Sequence, residues 1–166
     1  MSSAVIDENL VREMPLDKRL EYCEPIIKKE RDESKRWDAV WLAGEIAEIA
    51  GPEEPIFDKV ADIMVWILEN DDNGVVKHEA CFQIAARNMR KKIPNLINSA
   101  FHDQSALVKH EAIESLGLMR AFEVEEEIKK ALADPNPDVS ETVRFVLKRL
   151  ERLRNTKTEY APYHIL

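Results

Sequence analysis

The chain has 166 residues, enough for one domain with a substantial core, and its four glycines are too few for a turn-dense β-sandwich or barrel. Hydrophobic residues make up 45% and charged residues 34%, the balance of a soluble, helix-rich chain. A formal net charge of −8, from 32 acidic and 24 basic side chains, argues against a nucleic-acid binder and suits a basic ligand or protein partner.

The opening stretch MSSAVIDENLVREM lacks the basic flank and long apolar run of a leader peptide, so residues 1–14 are expected as an N-terminal segment. No stretch reaches the ~18 to 20 apolar residues of a membrane span, which predicts no membrane partner. From Pro15 onward helical periodicity is nearly continuous. In RWDAVWLAGEIAEIAG the residues Ala39, Val40, Leu42, Ala43, Ile46 and Ile49 form an apolar stripe that Gly51 and Pro52 close. The segment EPIFDKVADIMVWILENDDNG predicts the next helix, ended by the polar turn at residues 71–74. Further helices are expected over about residues 75–88, 93–101, 106–119, 124–133 and 139–154. No stretch alternates with period two for long enough to be a strand, so the fold class is all-α.

Short turns between these helices force sequential partners to pack as antiparallel hairpins. Placing Ala39, Ala80 and Ala112 in register aligns KRWDAVWLAGEI, VKHEACFQIAAR and VKHEAIESLGLM, and DVSETVRFVLKRL follows with Val143 in the alanine slot. The steps are 41, 32 and 31 residues. The expected architecture is an α-solenoid of about four hairpins over residues 15–154, followed by a tail at 155–166.

Lys-His-Glu-Ala occurs twice, 32 residues apart, and holds two of the four histidines. At 100° per residue His110 lies about 200° from Ala112, pointing away from the core stripe, and His78 does the same relative to Ala80. Second helices of neighbouring hairpins run side by side at about 8 to 10 Å, so equivalent residues face the same way. Ala85 and Gly117, further along, are expected to leave open space above them. Two histidines and one or two carboxylates on a shared, open surface are the donor set of a non-haem iron site with free positions. The structural alternative is that duplicated repeats simply inherit residues, the glutamates pairing with lysines of adjacent helices. Against it, the outer copies read Trp37-Asp38 and Glu141-Thr142 instead.

The LADPNPDV junction, the VKHEAIESLG helix and the period near 32 resemble HEAT-type repeats of the phycobilisome-lyase-like subtype over about residues 15–154. The His-Glu pairs further resemble those of the deoxyhypusine hydroxylases, HEAT-repeat di-iron monooxygenases whose halves each carry two such motifs. That resemblance implies His78, His110 and Glu111 as ligands of Fe(II), with Glu79 as the nearby carboxylate and catalytic candidate. It implies O₂-dependent hydroxylation of a C–H bond in a cationic side chain. This chain carries one half of the motif complement, so a pair of irons requires a homodimer, two Fe(II) per dimer. The rival expectation is a non-enzymatic scaffold that binds a protein partner on its concave face; a phycobilisome-type accessory is a third reading that no particular residue supports.

His102, in SAFHDQS, is expected at a helix C-terminus as a partner of the dipole. His164 falls in the tail NTKTEYAPYHIL, which is expected to pack on the solenoid end or meet a partner. Trp37, Trp41 and Trp66 read as inter-helix filler, with Trp37 placed to wall the inner surface beside the histidine row. Cys23 and Cys81 form no C-x-x-C pair and are expected as reduced, packed thiols of a cytoplasmic protein.

Overall fold

The computed structural model describes residues 5–156; His164 and the rest of the tail from residue 157 lie outside the described residues. Among those described, every regular element is helical: α1 (Glu8–Arg12), α2 (Leu16–Lys29), α3 (Glu33–Ala50), α4 (Pro55–Asn70), α5 (Gly74–Ala86), α6 (Ile93–His102), α7 (Ala106–Leu118), α8 (Glu125–Lys130) and α9 (Pro137–Asn155). The expected helices are present with ends shifted by a few residues, and the all-α class holds. None is long and apolar enough to cross a membrane.

Two differences are informative. Helix α1 was not expected; Asp7 caps it, its carboxylate accepting the Leu10 amide at 3.1 Å, and Val11 is buried. The helix expected near 124–133 is shorter, flanked by 3₁₀ turns at Phe122–Val124 and Ala131–Ala133. Asp134 and Pro135 end it, because proline cannot continue an α-helical ladder.

The chain divides into two compact units, Met1–Gln83 and Ile84–Leu166, with the break inside α5. In the first, α2 turns back onto α3 through the short link at 30–32 and α3 onto α4, burying Cys23, Ile27, Leu42, Ile46, Met64 and Ile67. In the second, α6 pairs with α7 and α7 lies beside α9, around Leu96, Ile113, Leu116, Met119 and Ile128. Each fully buried side chain of this size contributes about 1.5 to 3 kcal/mol.

The second helix of each hairpin starts on the same device. Asp32, Asn73, Ser105 and Asn136 turn a side-chain oxygen onto the first free amides of α3, α5, α7 and α9. Two residues before three of these caps stands an aspartate. Asp71 accepts from the Asn73 amide at 2.8 Å and takes both arms of the Arg36 guanidinium at 2.8 and 3.1 Å. Asp134 likewise accepts from the Asn136 amide at 2.9 Å and from Lys109 at 2.8 Å. Lys77 and Asp103 occupy the same slots in the sequence register. Lys109 therefore belongs to the repeat framework, as Arg36 does in the first copy, whereas the histidine is replaced by Trp37 and Glu141 in the outer copies.

After α5 and α7 the chain stops the helix in the same way. Asn88 and Arg120, 32 residues apart, both adopt φ 52. The amides of Met89 and Ala121 then close back onto the carbonyls of Ile84 and Leu116 at 2.9 and 3.1 Å.

Candidate metal centre

In the first unit, α5 places His78 half-buried and Glu79 only 6% exposed. Gln83, one helical turn on and fully buried, donates from Nε2 to Glu79 Oε1 at 2.9 Å. That amide lies over α3 at Gly44, where a Cβ would fall 1.9 Å from Gln83 Oε1. Glycine at 44 is thus what lets Gln83 reach across and hold Glu79. Beside them runs an aromatic ladder. Trp37 stacks on Trp41 with centroids 6.3 Å apart, and Trp41 on Phe82 at 6.1 Å. Trp37 remains 37% exposed, and Trp66 is half-buried under the Lys28 ammonium at 5.6 Å. Trp41 thus fills between α3 and α5 as expected, while Trp37 and Trp66 keep part of their surface exposed.

In the second unit, α7 places His110 half-buried and Glu111 7% exposed. His110 Nδ1 lies 2.6 Å from Thr142 Oγ1 on α9, and the Thr142 hydroxyl donates to the Asp138 carbonyl at 2.6 Å. Gly117 corrects the expectation of open space: it is buried, and a Cβ there would meet both Val146 methyls at 3.1 Å. The missing side chain lets α9 approach α7 closely, and Ala85 is fully buried as well.

The glutamates are more deeply buried than the histidines that precede them. Each stands next to the core alanine, Ala80 or Ala112. Gln83, Gly44 and Thr142 were missed in the sequence. The i+4 spacing of Gln83 from Glu79 was available as a signal, while the Gly44 contact joins residues far apart in the chain and left none. Among the described residues no group of three or more His, Cys, Asp or Glu side chains is gathered where it could hold a metal ion. His102 sits exposed in the last turn of α6, as expected for a dipole partner.

The surrounding charges are ordered by burial and pairing. Asp38, which stands in the Glu79 slot of the first repeat, has its carboxyl pushed up by burial and then by the like charges of Glu8 and Asp32. Cys23 and Cys81 are buried and outside any disulfide. Burial pushes the Cys23 thiol up to about 12, which keeps it protonated and unreactive.

A sequence profile of HEAT repeats matches residues 61–148, more than half of the chain. Among curated proteins, the chain is 35% identical over 100 residues to deoxyhypusine hydroxylase of Bos taurus, covering 58% of this chain and 33% of that one. It is 34% identical over 106 residues to the Homo sapiens protein of the same name, covering 60% and 35%. With the Arabidopsis thaliana protein it shares 28% over 140 residues, 82% of this chain and 41% of that one. The chain therefore spans well under half the length of these relatives. The structure of human deoxyhypusine hydroxylase in complex with glycerol superposes with a TM-score of 0.72 at 22% identity, over 89% of this chain and 49% of that one. At that identity the likeness establishes the shared all-α repeat fold. The chain belongs to the HEAT-repeat family.

Proposed function

We propose that this protein binds a non-haem iron through His78, His110 and Glu111, with Glu79 beside it, and acts as an O₂-dependent hydroxylase similar to deoxyhypusine hydroxylase. One observation carries the reading: two buried carboxylates, Glu79 and Glu111, each directly follow a half-buried histidine at equivalent positions of two repeats. The donor set fits the metal, since imidazole nitrogen and carboxylate oxygen are ligands that ferrous iron accepts. When bound, iron supplies the dioxygen activation that hydroxylation of a C–H bond requires.

The chain's own residues do the rest. Gln83 holds the Glu79 carboxylate in one orientation, and in this reading Glu79 faces the cationic side chain of a protein substrate. The Trp37–Trp41–Phe82 ladder offers π faces that favour the same charge. Because the chain carries two His-Glu motifs, a homodimer would supply four and hold two irons. Buried thiols outside any disulfide suit a cytoplasmic location. Residues 15–154 form the repeat domain in this reading.

Elemental analysis tests it, on protein carrying no histidine tag and loaded anaerobically with ferrous ion. On the order of one iron per chain is expected if the four donors act together. Less than about a tenth of that, with retained helix content, overturns the reading in favour of a scaffold that binds a protein partner.

A further inference from the structure

We infer that Thr142 is a positioning residue that fixes the tautomer of His110, leaving Nε2 as the one ring nitrogen able to accept or to ligate. A threonine hydroxyl has a single proton, and the Asp138 carbonyl, 2.6 Å from Oγ1, can only accept. The hydroxyl proton is therefore committed to Asp138. His110 Nδ1 lies 2.6 Å from the same oxygen, a distance at which two facing lone pairs would repel. Nδ1 must carry the proton and donate it to Thr142 Oγ1. A neutral imidazole has one N–H, so Nε2 keeps its lone pair. Thr142 is only 6% exposed, which limits water's competition for the contact.

The register of the repeats gives this threonine a meaning. It occupies in the last repeat the slot that Glu111 and Glu79 occupy in the two before it. The outer copy has exchanged the carboxylate for a hydroxyl that orients the histidine of its neighbour. The inference rests on the iron reading for its purpose, since metal-ligating histidines commonly donate the other ring N–H to such a partner. Its structural content, the tautomer, stands without metal. A hydroxyl that merely bonds back to its own helix, a common local arrangement, would leave the ring tautomer untouched by its removal.

The experiment uses the full chain, stripped with chelator and labelled with ¹⁵N. Long-range proton–nitrogen correlation reads the protonated nitrogen of the His110 ring, with His110→Gln providing the assignment. Native protein is expected to carry the proton on Nδ1, Thr142→Val to move it toward Nε2, and Thr142→Ser to restore it. Cobalt(II), added alone as the probe, is expected to bind Thr142→Val about 10- to 100-fold more weakly than native or Thr142→Ser protein. A native ring protonated on Nε2, or a tautomer unchanged in Thr142→Val, overturns the inference. Cobalt binding that is equally tight in Thr142→Val removes its role toward metal. If the tautomer moves as expected but native protein takes up no cobalt, the iron reading falls and the positioning role of Thr142 stands.

Discussion

Gln83 is caught between a glycine and a carboxylate, and both contacts can be tested. Gly44→Ala would drive a methyl into Gln83 Oε1, forcing the amide off Glu79 or the helices apart. Overpacking of this kind costs about 1 to 3 kcal/mol, expected as a lower urea midpoint with helix content retained. An unchanged midpoint would mean that Gln83 has room to move and that Glu79 is not fixed by it. Cys23 gives an independent check on burial. With its thiol pushed up to about 12, alkylation at pH 8 should follow unfolding and not precede it, as mass spectrometry along a urea series would reveal. At this scale the sequence was partly legible. His78, Glu79, His110 and Glu111 stood out because they repeat, and Gln83 was signalled by its i+4 spacing from Glu79, whereas Gly44 and Thr142 act through contacts between helices that no local pattern encodes.

Within each unit one junction between hairpins carries an aspartate, Asp71 or Asp134, that serves two donors at once, an amide two residues on and a cation on the preceding second helix. The Asp71 side chain is 2% exposed and Arg36 11%; without the carboxylate the half-buried guanidinium keeps only the Glu30 and Arg31 carbonyls and the exposed Asp72. Asp71→Ala is expected to cost about 1 to 3 kcal/mol in urea denaturation, more than a surface ion pair would. The Lys109–Asp134 pair adds a pH dependence whose sign follows from its direction. Lys109 holds the Asp134 carboxyl below the usual range, helped by the Asn136 amide and opposed by burial. The unfolded chain therefore takes up that proton first as pH falls. The stabilisation is complete above the ordinary aspartate range near ~3.9 and is lost as pH falls through the lower folded value. Asp134→Asn should thus weaken the protein clearly at pH 7 and much less at pH 3; an equal loss at both would exclude the charge as the cause. The helices themselves were legible from periodicity and from Gly51, Pro52 and the 71–74 turn. Helix α1 was not, because its five residues are too few to display a period.

For the molecule as a whole, the repeat register at 41, 32 and 31 residues, the LADPNPDV junction and the VKHEAIESLG helix make the HEAT family legible in the sequence. Assembly lies beyond such patterns, since nothing periodic in one chain specifies a partner copy. The proposed iron and the proposed homodimer should be linked, because two copies bring four glutamates into one site and cations offset their repulsion. His110→Ala is expected to lose metal and to weaken self-association in sedimentation, with far-ultraviolet circular dichroism nearly unchanged. A mutant that loses metal but associates as before would separate the two proposals. Iron at a hundred times its dissociation constant should also raise stability by about 2.7 kcal/mol, readable as a rise in thermal midpoint.

The paired helix stops at Asn88 and Arg120 suggest how such experiments can be made safer. Asparagine tolerates the left-handed backbone that both residues adopt, while arginine is held there at a cost of about 1 kcal/mol. The protein therefore sits below the stability its own fold allows, at a place outside the His-Glu pairs. Arg120→Asn, copying the solution already present one repeat earlier, should recover about 0.5 to 1 kcal/mol in urea denaturation. That margin is comparable to what many single substitutions remove. Variants of Glu79, His110 or Glu111 built on this background could lose their chemistry without losing their fold, which makes the protein a better instrument for its own dissection.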